Sequence, residues 1–398
     1  MDYSAIKYLP PQIDGEIIHW TGELTWPGGN STSVYFDFTC PDPSAFVPSL
    51  RPFLLAFLIP AMRIGRPLHL EQPIDQTTFD NLMEWQCAMA CWLPQKLKVV
   101  PIRCPIEPEQ HKHKSDGPHR VALTAFSGGV DSCFTAFRHT TADPVDPYRR
   151  TRLTAGLMVH GFDIPLSQAD VFDSAFKRSE QVLQTLGLEA YRMRTNLRSL
   201  GTPFDCDWES EAHGIWLAAA LACLESFFIR VLIPSTYSYE ILKLPWGSNP
   251  STDIFLGSEA TPFWHDGAAW HKLSKVKAMA QHPGIQLGLR VCWEGAQLDR
   301  NCGRCFKCIA TQVCFWLSRV KQPECFPETC NLTDVSKTRL KNEQNRHLFQ
   351  LMYDDAKRQS QVDLANALAS ALARNTRQRF RRKIKNLLRP SSRGRISL

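Results

Sequence analysis

Two clusters of side chains in this chain have the types and spacing to do chemistry. The first is Ser127-Gly128-Gly129-Val130-Asp131-Ser132, which follows an apolar run at 121–126 and opens a helical pattern. Two glycines let the backbone turn tightly and come close to a ligand. The amides of the loop and of the first helical turn lack intrahelical acceptors, and the helix dipole favours negative charge there. With the hydroxyls of Ser127 and Ser132, this makes an anion cradle. The loop lacks the Gly-Lys-Ser/Thr ending of a Walker A loop and the Gly-x-Gly-x-x-Gly spacing of a dinucleotide site. The plain alternative is a glycine turn capped by Asp131 or Ser132.

The second cluster is Cys292 with Cys302, Cys305 and Cys308. Four thiolates so spaced suit tetrahedral Zn²⁺, with Gly303 supplying the turn between ligands; an iron–sulfur cluster is the rival. A closed four-thiolate site has no open coordination position, so the metal is expected to be structural. Cys292 is separated from the other three, and Cys314, Cys325 or Cys330 could take its place.

The hexapeptide 127–132 resembles, at every position, the Ser-Gly-Gly-x-Asp-Ser signature of the PP-loop (N-type) ATP pyrophosphatases. The resemblance implies that ATP is split between its α- and β-phosphates, with AMP placed on a substrate oxygen and Mg²⁺ helping to neutralise the pyrophosphate. It also implies that the backbone after the second strand, at Met158, Val159 and His160, receives adenine. Together with the cysteines, the motif looks like the 7-cyano-7-deazaguanine synthase family, which makes a nitrile from a carboxylic acid through an adenylate and an amide. Leu273-Ser274-Lys275 is similar to that family's Leu-Ser-Lys segment, which makes Lys275 a phosphate or substrate contact. The likeness covers about residues 121–320. The family's Tyr-Pro-Asp-Cys-Arg run is missing, and segments 246–253 and 263–267 stand in its place, so a ligase joining an acid to ammonia or an amine fits as well as a nitrile synthase.

Further pocket candidates are polar residues at strand ends and helix starts. Glu211 and His213 open an otherwise apolar helix. Ser235, Thr236, Tyr237 and Tyr239 follow the fourth strand, and Asp253, Glu259, His265 and Asp266 lie in a long loop before Lys275. A carboxylate there could hold Mg²⁺, and a histidine could take a proton from an amine; capping roles are the alternative. Asp131, Ser132, Lys275 and His213 are the expected catalytic set. RNA modification is a second function class, with Cys206 as the candidate sulfur carrier. A nucleotide-binding protein without turnover is a third.

These residues must be placed by regular elements. From 121 onward, apolar strands at 121–126, 153–161, 190–194, 230–234 and 287–291 alternate with helical stretches at 132–138, 167–186, 210–228 and 274–281. That rhythm predicts an α/β fold, a parallel twisted sheet with helices on both faces and its ligand at the carboxyl ends of the strands. Residues 1–110 show strands at 16–20, 23–26 and 33–38, a helix at 77–93 and a strand at 98–102. They read as an α+β module of their own or as an extension of the sheet. Residues 111–120, rich in His and Lys, read as a linker, 321–372 as a helical extension and 373–398 as a tail.

A length of 398 residues with 43% hydrophobic and 21% charged residues suits two or three folded domains and excludes wholesale disorder. The longest apolar runs, 53–62 and 215–224, are shorter than the roughly 20 residues of a membrane span. The chain starts without a signal-peptide pattern, so its 14 cysteines are expected in a reducing, cytoplasmic setting. The net charge of +7 is concentrated: ten Lys or Arg and no acid lie in 373–398, leaving 36 basic against 39 acidic residues elsewhere. An RNA or protein acceptor would be gripped mainly by that tail, or the tail is a solvated terminus. The expected small-molecule partners are an acid and ammonia or an amine donor. A homodimer is compatible with the sequence, which does not set the oligomeric state.

Overall fold

The computed structural model describes residues 3–107, 121–140 and 149–387. The histidines of the linker and the last part of the basic tail, 388–398, lie outside the described residues. Among those described, eleven strands form one mixed, mostly parallel sheet. They are β1 (Ser4–Tyr8), β2 (Gln12–Asp14), β3 (Ile17–Thr25), β4 (Ser31–Thr39), β5 (Leu68–Leu70), β6 (Ile102–Arg103), β7 (Ala122–Ala125), β8 (Leu153–His160), β9 (Glu189–Thr195), β10 (Arg230–Pro234) and β11 (Phe263–Asp266). Their order is β11-β10-β7-β8-β9-β4-β3-β1-β5-β6, with β2 beside β3.

The parallel half, β11 to β9, is sequence-dictated. Strand β7 is Ala-Leu-Thr-Ala, buried throughout, as expected for a strand covered on both faces. Its side chains alternate between two cores: Leu123 and Ala125 join one, and Ala122 joins the other. The first core packs the helices Arg51–Ile64, Gln76–Trp92 and His213–Ala222 on one face. The second packs Val130–Thr140, Lys272–Met279, Phe306–Leu317 and the C-terminal helices on the opposite face. The chain leaves β7 toward β8 and β9, then returns to place β10 on the other side of β7. This reversal opens a crevice at the carboxyl ends of β7 and β10, where such sheets bind ligands.

The N-terminal segment extends the same sheet. Strand β4 pairs antiparallel with β9, with Phe36 opposite Thr195 and Phe38 opposite Met193. The strands expected at 16–20 and 23–26 are one strand, β3. Gly22 lies within it: a Cβ there would lie 2.1 Å from Phe53 Cδ1, so the glycine makes room for that ring. The strand expected at 98–102 shrinks to β6, and the helix expected from 210 begins as a π-helical turn, Trp208–Ala212, before His213–Ala222. The strand expected at 287–291 does not form. The helix Pro283–Gly288 occupies its start, and the Arg290 amide donates instead to Gly128 O at 2.8 Å. The fifth parallel position is taken by β11, with Phe263 beside Val231. At the C-terminus the helix Val362–Leu387 carries the chain out of the helical extension and into the basic region.

Candidate nucleotide site and cysteine centre

The loop after β7 is fixed by its own short side chains. Gly128 has φ +73°, a left-handed conformation, and a Cβ on it would sit 3.0 Å from Ser179 Oγ. Ser132 Oγ accepts from the Ser127 amide at 3.3 Å and donates to Gly129 O at 3.2 Å, while Ser127 Oγ accepts from the Gly129 amide at 3.4 Å. The helix Val130–Thr140 starts inside the motif, so the amides of Val130, Asp131 and Ser132 precede its first acceptor. Lys275, from the helix Lys272–Met279, donates to Asp131 Oδ1 at 2.7 Å and to Ser235 O at 2.5 Å. The Lys275 side chain is 2% exposed and that of Asp131 34%, so the lysine is sealed behind an aspartate that faces outward.

A cavity of about 300 Å³ opens at this point. Of the residues expected from the sequence, Ser127, Gly129, Val130, Asp131, Ser132, Met158, Val159, His213 and Thr236 line it. Phe162 and Ile164 add apolar wall, and Trp208, Glu209 and Trp246 stand near His213. His213 Nδ1 lies 3.0 Å from Trp208 O; a carbonyl only accepts, so Nδ1 carries the proton and Nε2 keeps a lone pair. Burial pushes the His213 pKa down, against the hydrogen bond to Trp208, and the ring is neutral at pH 7.

Other expected pocket residues are engaged elsewhere. The His160 ring lies against Pro165 O at 2.9 Å and stacks on Phe172, and it does not line the cavity. Ser235 contributes its carbonyl to Lys275 while its hydroxyl donates to Tyr237 O at 2.6 Å. Tyr239 and Glu259 are exposed and do not line the cavity. Buried Asp253 is bound by His265 Nδ1 and Ser248 Oγ, each at 2.7 Å, and organises its own loop. Asp266 is enclosed by Arg138, His139 and Thr135. Burial pushes its pKa up, but the hydrogen bond and charge of His139, with Arg138 and Thr135, outweigh this and hold it low. Glu211 is buried against Arg63 and Lys96. Cys206 does not line the cavity either, and burial pushes its thiol up to about 12.

Sequence reasoning missed Asp163, Trp208, Glu209, Lys272, Arg290 and Lys307 as lining residues. Position was the available signal for two of them, since Arg290 precedes Cys292 by two residues and Lys307 stands between Cys305 and Cys308.

The cysteine centre forms the adjoining wall. The sulfurs of Cys292, Cys302, Cys305 and Cys308 all lie within 4.8 Å of one another, with Cys302–Cys308 and Cys305–Cys292 at 3.8 Å. A tetrahedron with metal–sulfur bonds of about 2.3 Å has edges of about 3.8 Å, so the set fits Zn²⁺. Cys292 is therefore the fourth member, while Cys314 packs on Met352 Sδ. Asn301 fixes the arrangement: its Oδ1 accepts from the amides of Val291 and Cys292, and its Nδ2 donates to Leu289 O and Cys325 O. Gly303, at φ +75°, has no room for a Cβ, which would fall 2.4 Å from Glu328 O. No helix among the described residues is long and apolar enough to cross a membrane. No known family model, curated protein or solved structure matches the chain.

Proposed function

We propose that this chain is an ATP-dependent adenylating enzyme of the PP-loop kind, resembling the 7-cyano-7-deazaguanine synthases, that activates a carboxylate or amide oxygen and forms a carbon–nitrogen bond. The observation that carries the reading is the Ser127–Ser132 loop at the end of β7, at the reversal of strand order, opening on a cavity faced by Met158 and Val159 with Lys275 behind Asp131. In this reading the loop amides hold phosphate, and the backbone at Met158 and Val159 receives adenine. Asp131 and Asp163 are the carboxylates that would hold Mg²⁺, which when bound spreads the phosphate charge.

The neutral His213 Nε2 takes a proton from the incoming amine. The nitrogen attacks the activated carbon, a C–N bond forms, and the bond from that carbon to the AMP oxygen breaks. The four cysteines would hold zinc as a structural clamp with no open position. Cys206, half-buried and absent from the cavity lining, argues against sulfur transfer to RNA.

The test is incubation of the full chain with α-labelled ATP, Mg²⁺ and a panel of heteroaromatic acids with ammonia or amines. Release of AMP and pyrophosphate, lost in Asp131→Asn, is the expected result. ADP alone would refute adenylation, and ATP binding without AMP release for any acid would point to a nucleotide-binding protein without turnover.

A further inference from the structure

The phosphate loop is held by a side chain outside its own sequence. Arg290 donates its main-chain N–H to Gly128 O at 2.8 Å and its Nη2 to Ser127 O at 3.1 Å, while its Nη1 reaches Leu298 O at 3.0 Å. These bonds tie Arg290 to the loop, so its guanidinium keeps a fixed place in the wall of the cavity that Arg290, Ser127 and Gly129 all line.

The guanidinium is incompletely paired. It is buried, its Nε has no hydrogen-bond partner, Asp163 stands 4.0 Å from Nη2, beyond hydrogen-bond reach, and Asp299 acts on it through its charge alone. A buried cation in that state gains from an added anion. Lys272 and Lys307 line the same cavity, Lys307 Nζ lying 3.0 Å from the Trp293 ring centre, whereas Asp131 is already engaged by Lys275.

We infer that Arg290, Lys272 and Lys307 form a cationic subsite between the loop and the cysteine centre, which takes the diphosphate portion of the ligand. The identity of that portion as the β- and γ-phosphates released as pyrophosphate rests on the adenylation reading. The anchor is built into the fold, because Asn301 fixes the backbone at Val291 and Cys292 immediately beyond Arg290.

Calorimetric titration of the full chain with magnesium pyrophosphate, ATP and AMP tests this. The wild type should bind all three. Arg290→Gln and Lys272→Gln should each weaken pyrophosphate and ATP at least tenfold and AMP less than twofold. Lys272 is only half-buried, so its variant keeps the test independent of any folding defect at Arg290. Unchanged pyrophosphate affinity in Lys272→Gln, or equal weakening of AMP and pyrophosphate in both variants, overturns the subsite. Wild-type binding of pyrophosphate without ATP or AMP, weakened by both substitutions, would uphold the subsite and defeat adenylation instead.

Discussion

Replacing Lys275 by Met removes a buried ammonium while keeping most of its aliphatic volume. Two charge-assisted hydrogen bonds are lost, at 2.7 Å to Asp131 Oδ1 and 2.5 Å to Ser235 O. Bonds of this kind contribute about 1.5–3 kcal/mol each. Asp131 is a third exposed, so water recovers part of its loss, and only the Ser235 carbonyl is left without its donor in a dry position. The net destabilisation should be about 2–3 kcal/mol, and Asp131→Asn alone should cost about 1 kcal/mol. Urea unfolding of both single variants and the double variant should give a coupling of about 1–2 kcal/mol. AMP release should fall by about 10²-fold in Lys275→Met, the scale on which a catalytic group set about 1 Å out of place loses rate, because Asp131 loses the cation that holds it. Additive stabilities within about 0.3 kcal/mol would show that the pair does not interact as described, and unchanged AMP release would remove Lys275 from the chemistry.

Other outcomes follow from the same geometry. Substituting Ser for Cys292, Cys302, Cys305 or Cys308 should lower bound zinc well below about one equivalent and reduce the melting temperature, while Cys314→Ser and Cys325→Ser keep the metal, as elemental analysis would show. His213 is pushed below its ordinary value of 6.5, so its contribution to stability is complete above that pH and is lost as pH falls through the folded-state value. The fall in melting temperature from pH 7 to pH 5 should therefore be smaller in His213→Gln; His160, His271 and His282 shift the same way, so some fall remains. Cys206→Ser should retain full AMP release, and its loss in a turnover assay would revive a sulfur-transfer role. Gly22→Ala should destabilise the fold by about 1–3 kcal/mol in the same urea assay, because the new methyl meets the Phe53 ring.

The parallel half of the sheet was legible because its strands are buried on both faces and punctuated by turns. The edge strand β11 was not. Phe-Trp-His-Asp offers two polar residues in four and pairs on one side only, whereas the apolar stretch at 287–291 looked more strand-like and is spent on a short helix and on holding Gly128. The loop at 127–132 and the cysteine set announced themselves through residue type at fixed spacing. The pocket carboxylates did not: Asp253 and Asp266 look free in sequence, yet His265, Ser248, Arg138, His139 and Thr135 consume them. Conversely, Trp208 and Glu209 reach the cavity from a stretch with no motif, and a single chain of letters carries no trace of which side chains converge from distant elements.

The pairing of β4 with β9 has a practical corollary for anyone trimming this protein. Deleting residues 1–107 would strip β9 of a neighbour and leave its N–H and C=O groups as an open edge. It would also uncover the helix His213–Ala222, whose Trp216 indole donates to Ala56 O at 3.0 Å. A fragment starting near 121 would carry the whole 127–132 loop and all four clustered cysteines and still be prone to aggregate, so a shortened chain has to retain the amino-terminal strands.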